Sequence, residues 1–262
     1  MAARLWRWTG VRILFSGEGP TDQGRLDDRG NYSPGPATVY LRRLLVREGV
    51  DGGSIAFDLF DRKEEKRRRG RSLHLGARVM QAKGHGMLAA LLLLQAEMDE
   101  YDLAVFYVDA DKPDKPHDSS SCTKRWTEVV ESVRTAQPDG LASSVPLLPC
   151  VPMKMIECWL LADKAAIQAV PGARGSDKER LSTPAKPELI WGDRHDPEGD
   201  YPKCILSRAL DAVGLPNDAP TFSEIAESAD LEVLVRACPI SFAPFASEVG
   251  NLVDRHHWDS WN

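Results

Sequence analysis

Two apolar runs that stop abruptly in carboxylates constrain this chain most. Residues 11–16, Val-Arg-Ile-Leu-Phe-Ser, lead into Gly17-Glu18-Gly19-Pro20-Thr21-Asp22, and Phe106-Tyr107-Val108 leads into Asp109-Ala110-Asp111. A short apolar run bounded by turn residues reads as a buried strand. In an open α/β sheet, ligands bind in the crevice beyond the carboxyl ends of the strands. Two acidic clusters at two such ends predict a site for a hard cation, because Mg²⁺ and Mn²⁺ prefer carboxylate oxygen and water. The pairing points toward metal-dependent phosphate chemistry.

The rest of the first half alternates strand and helix signals. A strand is expected over 11–16 and a polar loop over 25–36. A helix follows over 37–48, with Val39, Leu41, Leu44 and Leu45 on one face, then a strand over 55–60. Lys83-Gly84-His85-Gly86 opens a helix with an apolar run at 87–94, followed by a strand over 102–108, a helix over about 123–136 and a strand over 145–150. This β-α-β-α-β-α-β alternation implies an α/β fold with a mostly parallel, Rossmann-like sheet flanked by helices. Residues 155–163 read as a strong helix and 171–202 as a long irregular insertion. Helices are expected over 203–213, 222–228, 231–237 and from about 241, with Thr221 and Glu224 as a capping box. The division implied is an α/β domain over 1–165, with the insertion and a helical C-terminal extension over 166–262 packed on it.

Bulk properties narrow the class. The 262 residues are 42% hydrophobic and 27% charged, enough to bury a substantial core. The net charge of −6 argues against coating nucleic acid through the overall field, though it leaves room for a local groove. Five scattered cysteines without a C-x-x-C pair predict reduced thiols rather than a disulfide frame or zinc site. Arg4, Arg7 and Arg12 interrupt the first apolar residues, so no signal peptide is expected. The run at 87–94 is far shorter than the ~20 residues of a membrane span. A soluble, cytoplasmic protein is the expectation.

Each candidate residue has a chemical and a plain reading. Glu18, between two glycines that permit a sharp turn and close ligand approach, is a metal ligand or general base, or else a solvated turn residue. Asp22 and Thr21 either join it or cap the turn. Asp109 and Asp111, two apart on an extended chain, project the same way and could reach one cation or two; the alternative is a strand-end cap. Glu157 is the only charge within Met155-Ile156-Glu157-Cys158-Trp159-Leu160-Leu161-Ala162. A carboxylate there is costly to bury unless paired or near a cation, unless it belongs to an exposed stripe with Asp163 and Lys164. Arg67, Arg68 and Arg69 could contact phosphates or form a solvated loop, with Glu64 and Glu65 diluting their field. Lys83, His85 and Lys203 are single candidates for nucleic-acid contact. Tyr107 is expected to face away from Asp109 and so not to act as a nucleophile.

A strand ending in Glu-Gly followed by one ending in Asp-x-Asp resembles the Toprim fold of topoisomerases, bacterial primases and overcoming-lysogenization-defect nucleases. The set Glu18-Gly19-Pro20-Thr21-Asp22, Asp109-Ala110-Asp111, Pro152 with residues 156–163, and Pro202-Lys203 resembles small Toprim-like proteins of bacterial defence loci, often encoded beside an ABC-type ATPase. Asp22 stands where relatives are expected to carry Glu. The resemblance implies that Glu18, Asp109 and Asp111, with Asp22 beside them, hold Mg²⁺ or Mn²⁺, and that Glu157 is an addition specific to this branch. It implies a nuclease acting on DNA or RNA as a defence effector with an ATPase partner. The alternative in the same fold is a non-catalytic subunit that regulates or docks on that ATPase. A third reading is a glycosyltransferase binding a nucleotide-sugar diphosphate through Mn²⁺ at the Asp-x-Asp, a reading that leaves the Glu18 motif without a role.

Overall fold

Strand β1, Val11–Ser16, is buried over nearly its whole length, because both faces of a parallel sheet are covered by helices. A computed structural model describes residues 10–26, 29, 31–61, 84–110, 119–135, 144–174 and 181–256. After β1 come a one-turn helix α1, Pro20–Gln23, and a small antiparallel hairpin, β2 Gly24–Leu26 with β3 Tyr32–Pro34, where a loop was expected. Helix α2 (Pro36–Arg47), strand β4 (Ile55–Leu59), helix α3 (His85–Met98), strand β5 (Leu103–Tyr107), helix α4 (Ser119–Arg134) and strand β6 (Leu147–Cys150) complete the alternation. The four main strands are all parallel, in the order β4-β1-β5-β6. This is a three-layer α/β fold of Rossmann-like type.

Side-chain alternation sends β residues to two cores. Leu14, Ala104, Phe106 and Val108 pack against α3 and α4, whose buried residues include Leu92 and Val130. Ile13, Phe15, Val105 and Tyr107 face the other way, into a larger apolar cluster. That cluster is built from α2 and from helices late in the chain: α5 Glu157–Leu160, α6 Lys164–Ala169, α7 Pro202–Val213, α8 Ala219–Ser228, α9 Leu231–Ala237 and α10 Phe242–His256. The C-terminal part thus supplies one covering layer of the sheet.

Three local expectations are corrected. The helix expected over 155–163 shortens to α5, and a separate helix, α6, begins after it where the Asp163 carboxylate accepts the Ala165 and Ala166 N–H groups. The capping box at Thr221 gives way to a cap one turn earlier, where Asp218 accepts the Thr221 N–H at 3.0 Å. Within the described part of the irregular insertion, a 3-10 turn at Pro187–Leu189 is packed inside, with Leu181 and Glu188 buried. Among the described residues no helix is long and apolar enough to cross a membrane.

Candidate functional site

The strand order has one reversal. The chain runs outward from β1 to β4, then returns to place β5 on the other side of β1 and continues to β6. The carboxyl ends of β1 and β5 flank this switch point, the crevice where open α/β sheets bind ligands. Glu18 and Asp22 follow β1, and Asp109 follows β5. Parallel pairing continues past the ends of the strands, since Val108 N–H donates to Cys150 O and Ala110 N–H to Pro152 O, both at 3.1 Å. Asp109 is therefore held on an extended, bonded backbone rather than on a free loop.

The β1 turn is ordered by side chains that the motif does not advertise. Gln23 reaches back so that its Oε1 accepts the Gly17 N–H at 2.5 Å. The Tyr32 hydroxyl donates to Gln23 O at 2.5 Å and lies 2.8 Å from Thr38 Oγ1. A Cβ at Gly17 would stand 2.6 Å from Gln23 Cβ, so this close approach requires glycine. Gly19 differs from the sequence expectation: its backbone is fully extended (φ −169°) and an added Cβ would meet nothing within 4 Å. Glu18 is left exposed and Asp22 half-buried.

Burial holds the Asp109 carboxyl well above the usual carboxylate range. The Tyr107 hydrogen bond opposes that shift, while the charges of Asp22, Glu18 and Glu157 add to it. Two neighbouring groups report the same gathering of charge. The Tyr107 hydroxyl is pushed up by burial, then by Asp109, Asp22 and Glu157. The Cys150 thiol is pushed up by burial, then by Asp109 and Asp22, which leaves it no reactive thiolate. Carboxylates from three separate chain segments thus act on one point at the end of β5.

Glu157 is only 5% exposed. The exposed-stripe alternative fails, because Asp163, its supposed companion, is also buried and caps α6. Lys203, on the first turn of α7, lies 3.8 Å from Glu157 Oε1 with most of its own side chain in solvent. His85 sits at the start of α3 against the Phe106 ring, on the sheet face opposite Tyr107. Asp111, Lys83, Arg67, Arg68 and Arg69 lie outside the described residues.

Tyr107 is the residue that sequence reasoning set aside for the wrong reason. Residues i and i+2 of an extended chain share a face, and its hydroxyl donates to Asp109 Oδ1 at 2.6 Å. Full burial and its raised pKa still exclude it as a nucleophile. Lys154 was also missed. It brings a buried cation into the loop between β6 and α5, with a left-handed backbone (φ 64°) uncommon outside glycine, and it opposes the rise of the Cys158 thiol.

The donors gathered at Asp109 are all carboxylates, which suit a hard cation in kind. Among the described residues, however, no group of three or more His, Cys, Asp or Glu side chains is close enough to hold a metal ion. Compared with protein-family models, curated proteins and solved structures, the chain gives no match.

Proposed function

We propose that the protein is a divalent-cation-dependent nuclease of Toprim type, acting on DNA or RNA phosphodiesters as the effector of a defence system with an ABC-type ATPase partner. One observation carries this reading: the strand order sets the acidic ends of β1 and β5 side by side at the switch point, where Asp109 is half-buried and the charges of Asp22, Glu18 and Glu157 add to the rise of its carboxyl. Like charges gathered in such a place are unfavourable, and a bound cation would relieve them. The candidate ligands for Mg²⁺ or Mn²⁺ are Asp109, Glu18 and Asp22, which do not stand close enough together to form a metal group in this structure, and Asp111, which lies outside the described residues. The ion would activate water and offset charge on the scissile phosphate. The exposed Glu18 is the group placed to exchange protons with water or a leaving oxygen. Lys203, 3.8 Å from Glu157 Oε1 with most of its side chain in solvent, would offer a cation for a neighbouring phosphate. The defence role and the ATPase partner rest on the motif resemblance alone.

The test is cleavage of supercoiled plasmid and of total tRNA in Mn²⁺ by wild type and by Asp109→Asn. The expected result is cutting of one substrate class by wild type and a loss of at least about a hundredfold in the variant, the scale of a removed transition-state charge stabiliser. Equal cutting by both proteins would end the proposal. If neither cuts, alone or with the ATPase, the non-catalytic subunit becomes the better reading.

A further inference from the structure

We propose that the cavity between α7 and the insertion binds a small zwitterion with an apolar side chain, of the class of a free aliphatic α-amino acid. This stands independently of the acidic edge of the sheet.

Helix α7 buries Leu206, Leu210 and Val213, and it turns Ile205, Arg208, Ala209 and Ala212 toward the insertion. Those four fall at i, i+3, i+4 and i+7, the spacing of one helix face. Two of them are alanines, and their short side chains leave room beside the helix. The result is a cavity of about 330 Å³, lined from the insertion by Thr183 and Asp200. That volume is at the lower end of the range for small-molecule sites. At about 30 Å³ for each water-sized group it takes roughly ten non-hydrogen atoms. Two opposite charges line this space. Arg208 Nη2 donates to Gly199 O at 3.0 Å and Nη1 to Pro197 O, both neutral acceptors. Among the described residues the guanidinium forms no ion pair, and it keeps N–H donors to spare. The same two bonds fix the loop just before Asp200. Gly192 closes that loop from the other side, so near that a Cβ would stand 2.5 Å from Tyr201 N. Asp200 is thus held at the cavity, and among the described residues its carboxylate has no hydrogen bond or ion pair. Arg208 and Asp200 share one cavity without pairing with each other. A ligand with ammonium and carboxylate on one carbon satisfies both, the ammonium on Asp200 and the carboxylate on Arg208. Its side chain then lies on Ile205, Ala209 and Ala212. A simple amine or a simple acid meets only one of the two charges.

The test is isothermal titration calorimetry of the full chain with L-leucine, L-valine and L-methionine, and with two partial ligands. Isoamylamine lacks the carboxylate and isocaproate lacks the ammonium. Wild type is compared with Asp200→Asn and Ala212→Leu, and thermal unfolding of each without ligand shows that it is folded. At least one of the three amino acids should bind wild type about tenfold or more tighter than either partial ligand, the scale of one charged hydrogen bond. Asp200→Asn should weaken that amino acid about tenfold and leave isocaproate unchanged. Ala212→Leu fills the cavity without touching either charge and should weaken all the ligands. Should Asp200→Asn fold poorly, Ala212→Leu decides the question alone. Wild type that binds none of the three amino acids would overturn the proposal. So would equal binding of the amino acid and a partial ligand, since the two charges would then not be read together. Amino-acid affinity unchanged in Ala212→Leu would place the binding elsewhere and overturn it as well.

Discussion

At the residue scale the buried polar groups are the informative ones. Among the described residues Trp159 is the largest fully buried side chain, and its indole N–H donates to Ser241 Oγ at 2.8 Å. Its ring lies 5.0 Å from Phe242, 5.6 Å from Phe245 and 5.8 Å from Tyr40, tying α5 to α10 and α2. Trp159→Phe removes volume and the indole donor together, so urea unfolding should show a loss of about 2–3 kcal/mol. A change below about 0.5 kcal/mol would mean that the site collapses without cost. The sequence made Glu157 conspicuous as a lone charge in an apolar run, and burial agrees. Tyr107 was within reach of the same reading, since the spacing rule applied to Asp109 and Asp111 also puts residue 107 on the face of Asp109. The sequence could not mark Gln23, whose side chain folds back on Gly17 across a turn with no recognisable signature.

At the scale of elements, Glu188 shows why residues 181–202 are not a free loop. Its carboxylate accepts the N–H groups of Ile240 and Ser241, both at 2.8 Å, and the Ser241 hydroxyl as well. One side chain from the insertion thereby satisfies donors at the start of α10, which would otherwise be buried without partners. Glu188→Ala should cost about 3 kcal/mol in chemical denaturation, the scale of two stranded buried donors. Burial also holds the Glu188 carboxyl above its ordinary value, against the pull of those donors. A carboxyl raised in the folded state contributes stability that is complete below about pH 4, the unfolded value, and fades as pH rises through the folded value. The stability difference between wild type and Glu188→Gln should accordingly shrink as pH climbs from about 4. A difference that grows with pH would show that the hydrogen bonds outweigh burial. The four parallel strands and most helices were legible from periodicity, because long apolar stripes leave few alternatives. The described part of the insertion was not, because contacts from outside it, Glu188 with the start of α10 and Arg208 with Pro197 O and Gly199 O, hold it rather than a local pattern.

At the scale of the whole molecule, the fold brings distant segments to one edge. Sequence alone supplied the acidic strand ends but not the strand order, which decides whether those ends are neighbours. The order β4-β1-β5-β6 makes them so. It also lets the C-terminal helices close the face on which Tyr107 and Asp109 lie, bringing Glu157 and Lys203 to that edge. Such an arrangement would set stability against the proposed function, since carboxylates gathered at one point repel one another unless a cation lies between them. The most direct test is thermal unfolding of wild type and Asp109→Asn, each with and without Mn²⁺. Without metal, the variant should melt a few degrees above wild type, because about 1–2 kcal/mol of buried repulsion is removed. Mn²⁺ at about a hundred times its dissociation constant should stabilise wild type by about 2.7 kcal/mol and leave the variant nearly unmoved. An equal Mn²⁺ response in both proteins, or none in either, would contradict a cation site built on Asp109.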